Sequence, residues 1–224
     1  MNILTVENIS KGYGEKLLFE DISFGISAGQ KIALIARNGT GKSSLIKIIT
    51  GYEAPDEGKV SKGNDLRISY LPQNPDMNPK ATVMDYLFDS DNQLTKLVYR
   101  YNLLTSGKIT GKEETTEIMN RMDELQAWNF ESKIREILGK FNIKNLDQQI
   151  SELSGGMRKK AALAKSLIEE ADLVVLDEPT NHLDVDTIEW LESFLKRQNL
   201  AVFLVTHDRY FLDNVCDEIL ELDN

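Results

Sequence analysis

The sequence predicts an α/β fold built around a phosphate-binding loop, and three stretches support that prediction. The apolar run KIALIA, residues 31–36, leads into the glycine-bearing run ARNGTGKS and then into an amphipathic stretch, which together predict a strand, a loop and a helix. Two further apolar runs, LVVL at 173–176 and AVFLVT at 201–206, predict buried strands that lead directly into Asp177 and His207. Ligands of open α/β sheets bind at the carboxyl ends of the strands, so both residues are expected at the binding edge.

The run at 36–43 has the composition of a phosphate-binding loop. Its glycines allow backbone N–H groups to turn toward one centre, and the helix that follows adds unpaired donors and the positive end of its dipole. In this context Lys42 reaches the outer phosphates of a nucleotide and Ser43 binds Mg²⁺. The alternative is an ordinary glycine turn with an exposed lysine. The predicted binding residues of this segment are Arg37, Asn38, Gly39, Thr40, Gly41, Lys42, Ser43 and Ser44.

Ala36 departs from the general pattern GxxxxGK[ST], which opens with glycine. Alanine tolerates a negative φ but resists a positive one. The departure is therefore harmless only if the backbone at the entry to the loop is not left-handed, and we expect a functional loop.

Asp177 and Glu178 follow the LVVL run at the predicted sheet edge. An aspartate there suits Mg²⁺ in a nucleotide site, and an adjacent glutamate can orient or deprotonate the water that attacks a phosphoryl group. The alternative is the acidic first turn of a helix, where carboxylates are favoured by the helix dipole alone.

Taken together, these motifs resemble the nucleotide-binding domain of the ATP-binding cassette (ABC) superfamily, whose markers occur here in the same order along almost the whole chain. The resemblance implies a P-loop NTPase fold of ABC type, with a mixed sheet core, an N-terminal antiparallel β part and an inserted α-helical subdomain. It also implies an ATPase that uses ATP and Mg²⁺. The roles that it implies are adenine stacking for Tyr13, catalysis for Lys42, Gln73, Glu178 and His207, Mg²⁺ binding for Ser43, Gln73 and Asp177, the signature loop for Ser154, Gly155 and Gly156, and a dimer contact for Asp184.

Some of these assignments have simpler alternatives. Tyr13, between two glycines, is also typical of an ordinary turn aromatic, and Gln73 of a solvated loop residue. An isolated histidine such as His207 at a strand end is usually structural, but the presence of Lys42, Asp177 and Glu178 in the same chain favours a γ-phosphate contact. Met157 stands where many members of the superfamily carry glutamine.

The chain of 224 residues is long enough for one domain with a subdomain. We expect an α/β core from residues 1–80 and 151–224 and a helical subdomain at 82–150. In that subdomain, apolar residues at helical spacing flank the turn-like TSGKITGK and predict a hairpin-like arm. The hairpin residues are Val83, Leu87, Leu94, Val98 and Tyr101 on one side, and Ile118, Met122, Leu125 and Trp128 on the other.

Composition limits location and partners. No apolar stretch approaches the roughly twenty residues that span a bilayer, and no secretory pattern is present, so a soluble cytoplasmic protein is expected. The single Cys216 fits a reducing compartment. With 26 basic and 36 acidic residues the formal net charge is −10, which argues against a strong nonspecific grip on nucleic acid, although a basic cluster at 158–160 is present.

The motifs NHLD at 181–184 and HDRYFLD at 207–213, with the predicted arm, resemble the ABC-F branch, and within it the N-terminal cassette of Uup-like proteins. That resemblance implies a second cassette, in a longer chain or a homodimer, whose signature loop covers the nucleotide bound here. It also implies action on the ribosome. A membrane transporter subunit and a nucleotide-gated DNA-binding module remain as alternatives, and direct insertion into a membrane is not expected.

Overall fold

The computed structural model describes residues 2–37 and 39–222, and eight strands, eight α-helices and one short 3-10 helix (Ile150–Glu152) are found in them. The strands are β1 (Asn2–Tyr13), β2 (Lys16–Ser27), β3 (Lys31–Ala36), β4 (Glu57–Lys62), β5 (Ile68–Leu71), β6 (Leu173–Asp177), β7 (Ala201–Val205) and β8 (Glu218–Leu222). The helices are α1 (Lys42–Thr50), α2 (Val83–Phe88), α3 (Gln93–Thr105), α4 (Lys112–Glu124), α5 (Trp128–Lys140), α6 (Gly155–Ile168), α7 (Val185–Arg197) and α8 (Arg209–Val215). The chain divides into two compact units, one formed by Met1–Gln73 with Ala171–Asn224 and the other by Asn74–Glu170.

The first unit contains two sheets. An antiparallel sheet has the order β2-β1-β4, and a parallel sheet has the order β5-β6-β7-β3-β8. Every residue of β6 and β7 is buried, as expected for central strands of a parallel sheet, whose faces are both covered. The predicted mixture of antiparallel and parallel strands is confirmed, with each kind in its own sheet.

The register of the parallel sheet brings the predicted motifs together. Val205 at the end of β7 pairs with Asp177 of β6 on one side and with Leu34 of β3 on the other. Because the strands run in parallel, the segments that leave β3, β6 and β7 emerge side by side at one edge. The fold therefore places the phosphate-binding loop, the acidic pair and His207 at that common edge.

Helix α1 anchors the phosphate-binding loop to the core. Leu45, Ile46 and Ile49 are fully buried among β-strand residues that include Ile32 and Phe203. The helix begins after Gly41, with φ 98°, and ends at Gly51, with φ 90°, both in the left-handed region that favours glycine. Its first turn is thus fixed by a buried apolar face.

The second unit is helical. Helices α3 and α4 pack against each other, and Arg100 of α3 bridges them, lying 3.5 Å from Glu114 and 3.2 Å from Glu117 of α4. The regularly spaced apolar residues from Val83 onward lie on two helices, α2 and α3. Asn92 begins the second of these, because its side chain accepts hydrogen bonds from the N–H groups of residues 94 and 95.

The boundary of the helical unit differs from the sequence-based division at 82–150. The compact unit extends from residue 74 to 170, because α6 packs against α2 and α5. Trp128 likewise begins α5 instead of continuing the hairpin.

No helix in the described ranges combines the length and apolar character needed to cross a membrane. Cys216 is half-buried after α8, and burial raises the pKa of its thiol to about 12. The thiol is therefore protonated at neutral pH.

Candidate functional site

A cleft of about 420 Å³ opens at the common strand edge of the first unit. The β1–β2 hairpin and the phosphate-binding loop line it with the predicted residues Tyr13, Gly39, Gly41, Lys42, Ser43 and Ser44. The strand ends contribute Gln73, Asp177, Glu178 and His207. Residues that are up to about 190 positions apart in the chain thus surround one space.

Glycine is required inside the phosphate-binding loop for two physical reasons. Gly39 and Gly41 have φ values of 82° and 98°. In addition, a Cβ on Gly41 would lie 2.9 Å from Cδ1 of Phe19 and 3.0 Å from Cβ of Leu18. Conformation and packing therefore both exclude a side chain at Gly41. Asn38, predicted to bind nucleotide, lies outside the described residues.

Ala36 is accommodated because it is still part of a strand. It is the last residue of β3 and pairs with Leu222 of β8, so its backbone is extended. The condition set by the sequence analysis, that the loop entry is not left-handed, is met.

Lys42 is the first residue of α1, and its side chain reaches back to the start of the loop. Its ammonium group donates hydrogen bonds to the carbonyl oxygens of Ala36, at 2.7 Å, and Arg37, at 3.0 Å. The buried Thr40 hydroxyl donates to the same Arg37 carbonyl at 2.8 Å. Arg37 and Thr40 thus stabilise the shape of the loop, while Lys42 supplies a positive charge at the cleft.

Asp177 and Glu178 differ in their setting. Asp177 is the last residue of β6 and is 6% exposed. Burial is the main cause that raises the pKa of Tyr70 to about 12, and the negative charge of Asp177 adds to this rise. Glu178 follows with φ 52°, and its N–H donates to the carbonyl of Val205 at 2.7 Å. This left-handed turn fixes the carboxylate of Glu178, whose side chain is only 10% exposed, at the edge of the cleft.

Thr206 connects Glu178 to the strand that carries His207. The Thr206 hydroxyl donates to Oε2 of Glu178 at 3.3 Å and accepts from the N–H of Asp208 at 3.2 Å. The hydroxyl of Thr180 lies 3.4 Å from that of Thr206. Nε2 of His207 lies 3.4 Å from the other oxygen of Glu178, Oε1. Both carboxylate oxygens are therefore oriented by groups of the chain.

Two polar residues near the cleft were missed by the sequence analysis. Thr206 is 3% exposed. The sequence feature that could have identified it is its position between a predicted buried strand and His207. Lys16 lines the cleft, and its ammonium lies 3.7 Å from where a Cβ on Gly39 would be. Its signal was a cation just after the turn at Gly14, on the strand that pairs with Tyr13. It adds a second positive charge beside the loop.

The donor atoms of the cleft match the preferences of Mg²⁺. Ser43, Gln73 and Asp177 offer hydroxyl, amide and carboxylate oxygens, the hard ligands that this ion selects. Within the described ranges no group of three or more His, Cys, Asp or Glu residues forms a metal cage. The set therefore fits an ion that also takes oxygens from phosphate and water, as Mg²⁺ does in nucleotide sites.

The remaining predicted residues lie outside this cleft. Ser154 belongs to the helical unit and caps α6, accepting from the N–H of Met157 at 3.2 Å. Gly155 is exposed, and a Cβ on it would meet no atom of the described chain within 4 Å. Gly156 follows in the first turn of α6. Asp184 caps α7 through the backbone and hydroxyl of Thr187, at 3.0 and 2.7 Å.

The chain is similar to a known protein family, to individual proteins and to solved structures. The family model described as ABC transporter matches residues 19–181. An uncharacterized ABC transporter ATP-binding protein of Bacillus subtilis, YfmR, is 41% identical over the whole chain. The energy-dependent translational throttle protein EttA of Mycobacterium tuberculosis is 34% identical over 99% of the chain, and the ATP-binding protein Uup of Haemophilus influenzae is 35% identical over all of it. The chain spans only 36%, 40% and 35% of these three relatives.

Solved structures agree on the fold. An ATP-binding subunit of an ABC transporter superimposes with a TM-score of 0.73 at 25% identity, covering 98% of this chain and 85% of the other. An archaeal ribosome recycling factor, aABCE1, solved in complex with the ribosomal stalk protein aP1, gives a TM-score of 0.71 at 25% identity, covering 99% of this chain and 37% of that one.

Proposed function

This chain belongs to the ABC transporter family and, within it, to the ABC-F branch, and from that premise we propose that it binds ATP with Mg²⁺ and hydrolyses it to ADP and phosphate. The observation that carries the proposal is the convergence of Lys42, Ser43, Gln73, Asp177 and Glu178 on one cleft. Phosphoryl transfer requires positioning and charge neutralisation more than covalent chemistry, and this cleft offers both.

The residues of the cleft have different roles in the proposed hydrolysis. The N–H groups of the loop and the Lys42 ammonium bind the phosphates, while Tyr13 stacks on the adenine base. Glu178 orients the attacking water and accepts its proton, with His207 beside its Oε1 and Gln73 near the γ-phosphate. Ser43, Gln73 and Asp177 would hold Mg²⁺, which would supply charge neutralisation at the phosphate oxygens.

We further propose that a second cassette completes the site. Ser154 and Gly155 are exposed at the start of α6, where free N–H groups and the helix dipole favour an anion. The open space around Gly155 means that the described chain does not itself require glycine there. The phosphate of a nucleotide bound to a second cassette would require glycine at position 155. Asp184 would lie in the same interface between the two cassettes. The relatives are long enough to hold such a second cassette.

The favoured setting for this ATPase is the ribosome, in the cytoplasm. Support comes from EttA, named as a translational throttle, and from aABCE1, a ribosome recycling factor of similar fold. None of the three relatives described above is named for DNA binding, and the net charge of −10 disfavours a nucleic-acid grip by this cassette alone.

The catalytic proposal is tested by Glu178→Gln. The amide retains size but cannot accept the proton, so ATP turnover should fall by about 100-fold or more, while ATP affinity stays within about twofold. The exposed Glu189→Gln on α7 removes the same charge away from the cleft and should leave both unchanged. Turnover at the wild-type rate with ATP bound would show that Glu178 is not the base.

The partner proposal is tested by sedimentation of the Glu178→Gln protein loaded with ATP. Co-sedimentation with ribosomes is expected. Recovery with membranes would favour a transporter subunit, and ATP-dependent binding to DNA would favour a nucleotide-gated DNA-binding module. Either result without ribosome binding would contradict the proposed action on the ribosome.

A further inference from the structure

The ring of Tyr13 is held in place even though much of it is exposed. It ends β1 at the rim of the cleft, and its side chain is 54% exposed. Its hydroxyl nevertheless donates to Oε1 of Glu53 at 2.7 Å and lies 3.4 Å from Oγ of Ser44. The ammonium of Lys11 lies over the ring, 5.7 Å from its centroid. Three contacts therefore restrict an aromatic side chain at the end of a hairpin.

Glu53 is itself fixed by its neighbours. The Lys11 ammonium lies 3.2 Å from Glu53 and 2.8 Å from Asp56, and it donates to the carbonyl of Ala54 at 3.0 Å. The other Asp56 oxygen accepts from the N–H of Gly12 at 2.9 Å. Only 11% of the Lys11 side chain is exposed. The segment after α1 is thus tied to the end of β1 at Lys11 and Gly12, the two residues that precede Tyr13.

The charges of this cluster persist at neutral pH. The hydrogen bond from Tyr13 lowers the pKa of Glu53, and the bond from Lys11 lowers that of Asp56. The bond to Asp56 is also the main cause of the raised pKa of Lys11. The acceptor for the Tyr13 hydroxyl is therefore a carboxylate, which makes a stronger hydrogen bond than a neutral group.

Stability of the fold alone does not explain this arrangement. A tyrosine that only filled a turn would gain little from a carboxylate that orients a half-exposed ring. Orientation matters when the ring must receive a flat partner, because a ring already held in position loses less conformational entropy on binding. One face is occupied by Lys11, which leaves the other face for a base.

We propose that Glu53, held by Lys11 and Asp56, is a positioning residue that fixes the Tyr13 ring for stacking on the nucleotide base. The hydroxyl contact to Ser44 also ties the ring to the first turn of α1, so the base-binding and phosphate-binding parts of the cleft share one support. This inference rests on the proposed binding of ATP.

The test compares a ligand with a base and one without. ATP affinity is measured directly, and inorganic tripolyphosphate is measured by competition. Glu53→Ala and Tyr13→Phe should each weaken ATP binding by about three- to tenfold, since each removes the hydrogen bond between Tyr13 and Glu53 that orients the ring, and leave tripolyphosphate binding unchanged. Glu53→Gln should recover part of the affinity, because its amide oxygen still accepts the hydroxyl proton.

A double mutant separates positioning from general structure. In the Tyr13→Phe background, Glu53→Ala should weaken ATP binding by a smaller factor than in the wild-type protein, because the Tyr13 hydroxyl is already absent and only the ion pair with Lys11 remains to be lost. Additive losses, or an equal loss for tripolyphosphate, would contradict the inference. Glu57→Ala is the matched control, since it removes an exposed carboxylate four residues away.

The wild-type protein distinguishes this inference from the proposed function. If it binds no ATP, the proposed function fails and the inference fails with it. If it binds ATP and the Glu53 variants bind equally well, only the positioning role is overturned.

Discussion

The two glycine-bearing loops of this chain obey different constraints. In the phosphate-binding loop, Gly41 has a left-handed φ and no room for a Cβ against Phe19 and Leu18. In the signature loop at 154–156, Gly155 is helical and its surroundings in the described chain leave a Cβ free space. The first glycine is thus required by the fold itself. The second is explained only by something that approaches from outside, such as the phosphate of a nucleotide held by another cassette.

The largest effect should come from Gly41→Ala. The left-handed backbone costs about 1–2 kcal/mol for a non-glycine residue, and the close contacts with Phe19 and Leu18 add about 1–3 kcal/mol. We expect a lower melting temperature and an ATP affinity reduced by about 100-fold, measured by thermal unfolding and calorimetry.

Gly107→Ala is the control for this variant. Gly107 has φ 75° but no neighbour in the described chain within 4 Å of the added Cβ, so it isolates the conformational term. Equal destabilisation of the two variants would show that packing against Phe19 does not matter.

Gly155→Ala should separate stability from activity. The melting temperature should not fall, because alanine is favoured in helices and the added methyl group meets no clash. ATP binding should stay within about twofold, while hydrolysis by the two-cassette assembly should fall by about 30-fold, since about 2 kcal/mol of contact is lost at the interface. If Gly155→Ala lowered stability but left turnover unchanged, glycine at this position would not be required by a nucleotide held in another cassette.

Ser154 has two roles that can be measured apart. Ser154→Ala should destabilise the protein by about 1 kcal/mol through the lost cap of α6. Ser154→Asp keeps a capping side chain and should preserve stability, but its charge would repel a phosphate and reduce hydrolysis by about tenfold. Normal turnover in the aspartate variant would exclude a phosphate contact at this position.

Thr206→Val should have the smallest effect, about threefold on turnover with unchanged ATP affinity. The change removes the hydroxyl that orients Oε2 of Glu178 but leaves the carboxylate in place. Thr206→Ser retains the hydroxyl and should restore the rate. A slow serine variant would indicate that the methyl group, and not the hydrogen bond, is needed.

The sheet edge was predictable because its signals are local. Apolar runs of four to six residues end directly at Asp177 and His207, and parallel strands must bring such ends together. The glycine pattern around Lys42 is local as well. These features required no knowledge of long-range pairing.

The supports around the site were not predictable, since they depend on distant partners. Glu53 meets Tyr13 across 40 residues and Asp56 meets Lys11 across 45, contacts created by the pairing of β1 with β4. The break between α2 and α3 was missed because the apolar spacing continues through it, whereas the cap at Asn92 decides the boundary. The extent of the helical unit likewise depends on packing by α6.

The left-handed backbone at Glu178 has a consequence for protein engineering and evolution. Glycine would adopt φ 52° without cost and asparagine with little, whereas glutamate gives up about 1 kcal/mol of folding free energy there. A laboratory selection for heat resistance alone would therefore favour replacement of the one side chain that the proposed chemistry needs most. Glutamate at this position lowers the folding stability but supports the proposed ATP hydrolysis, so only selection that includes activity would maintain it.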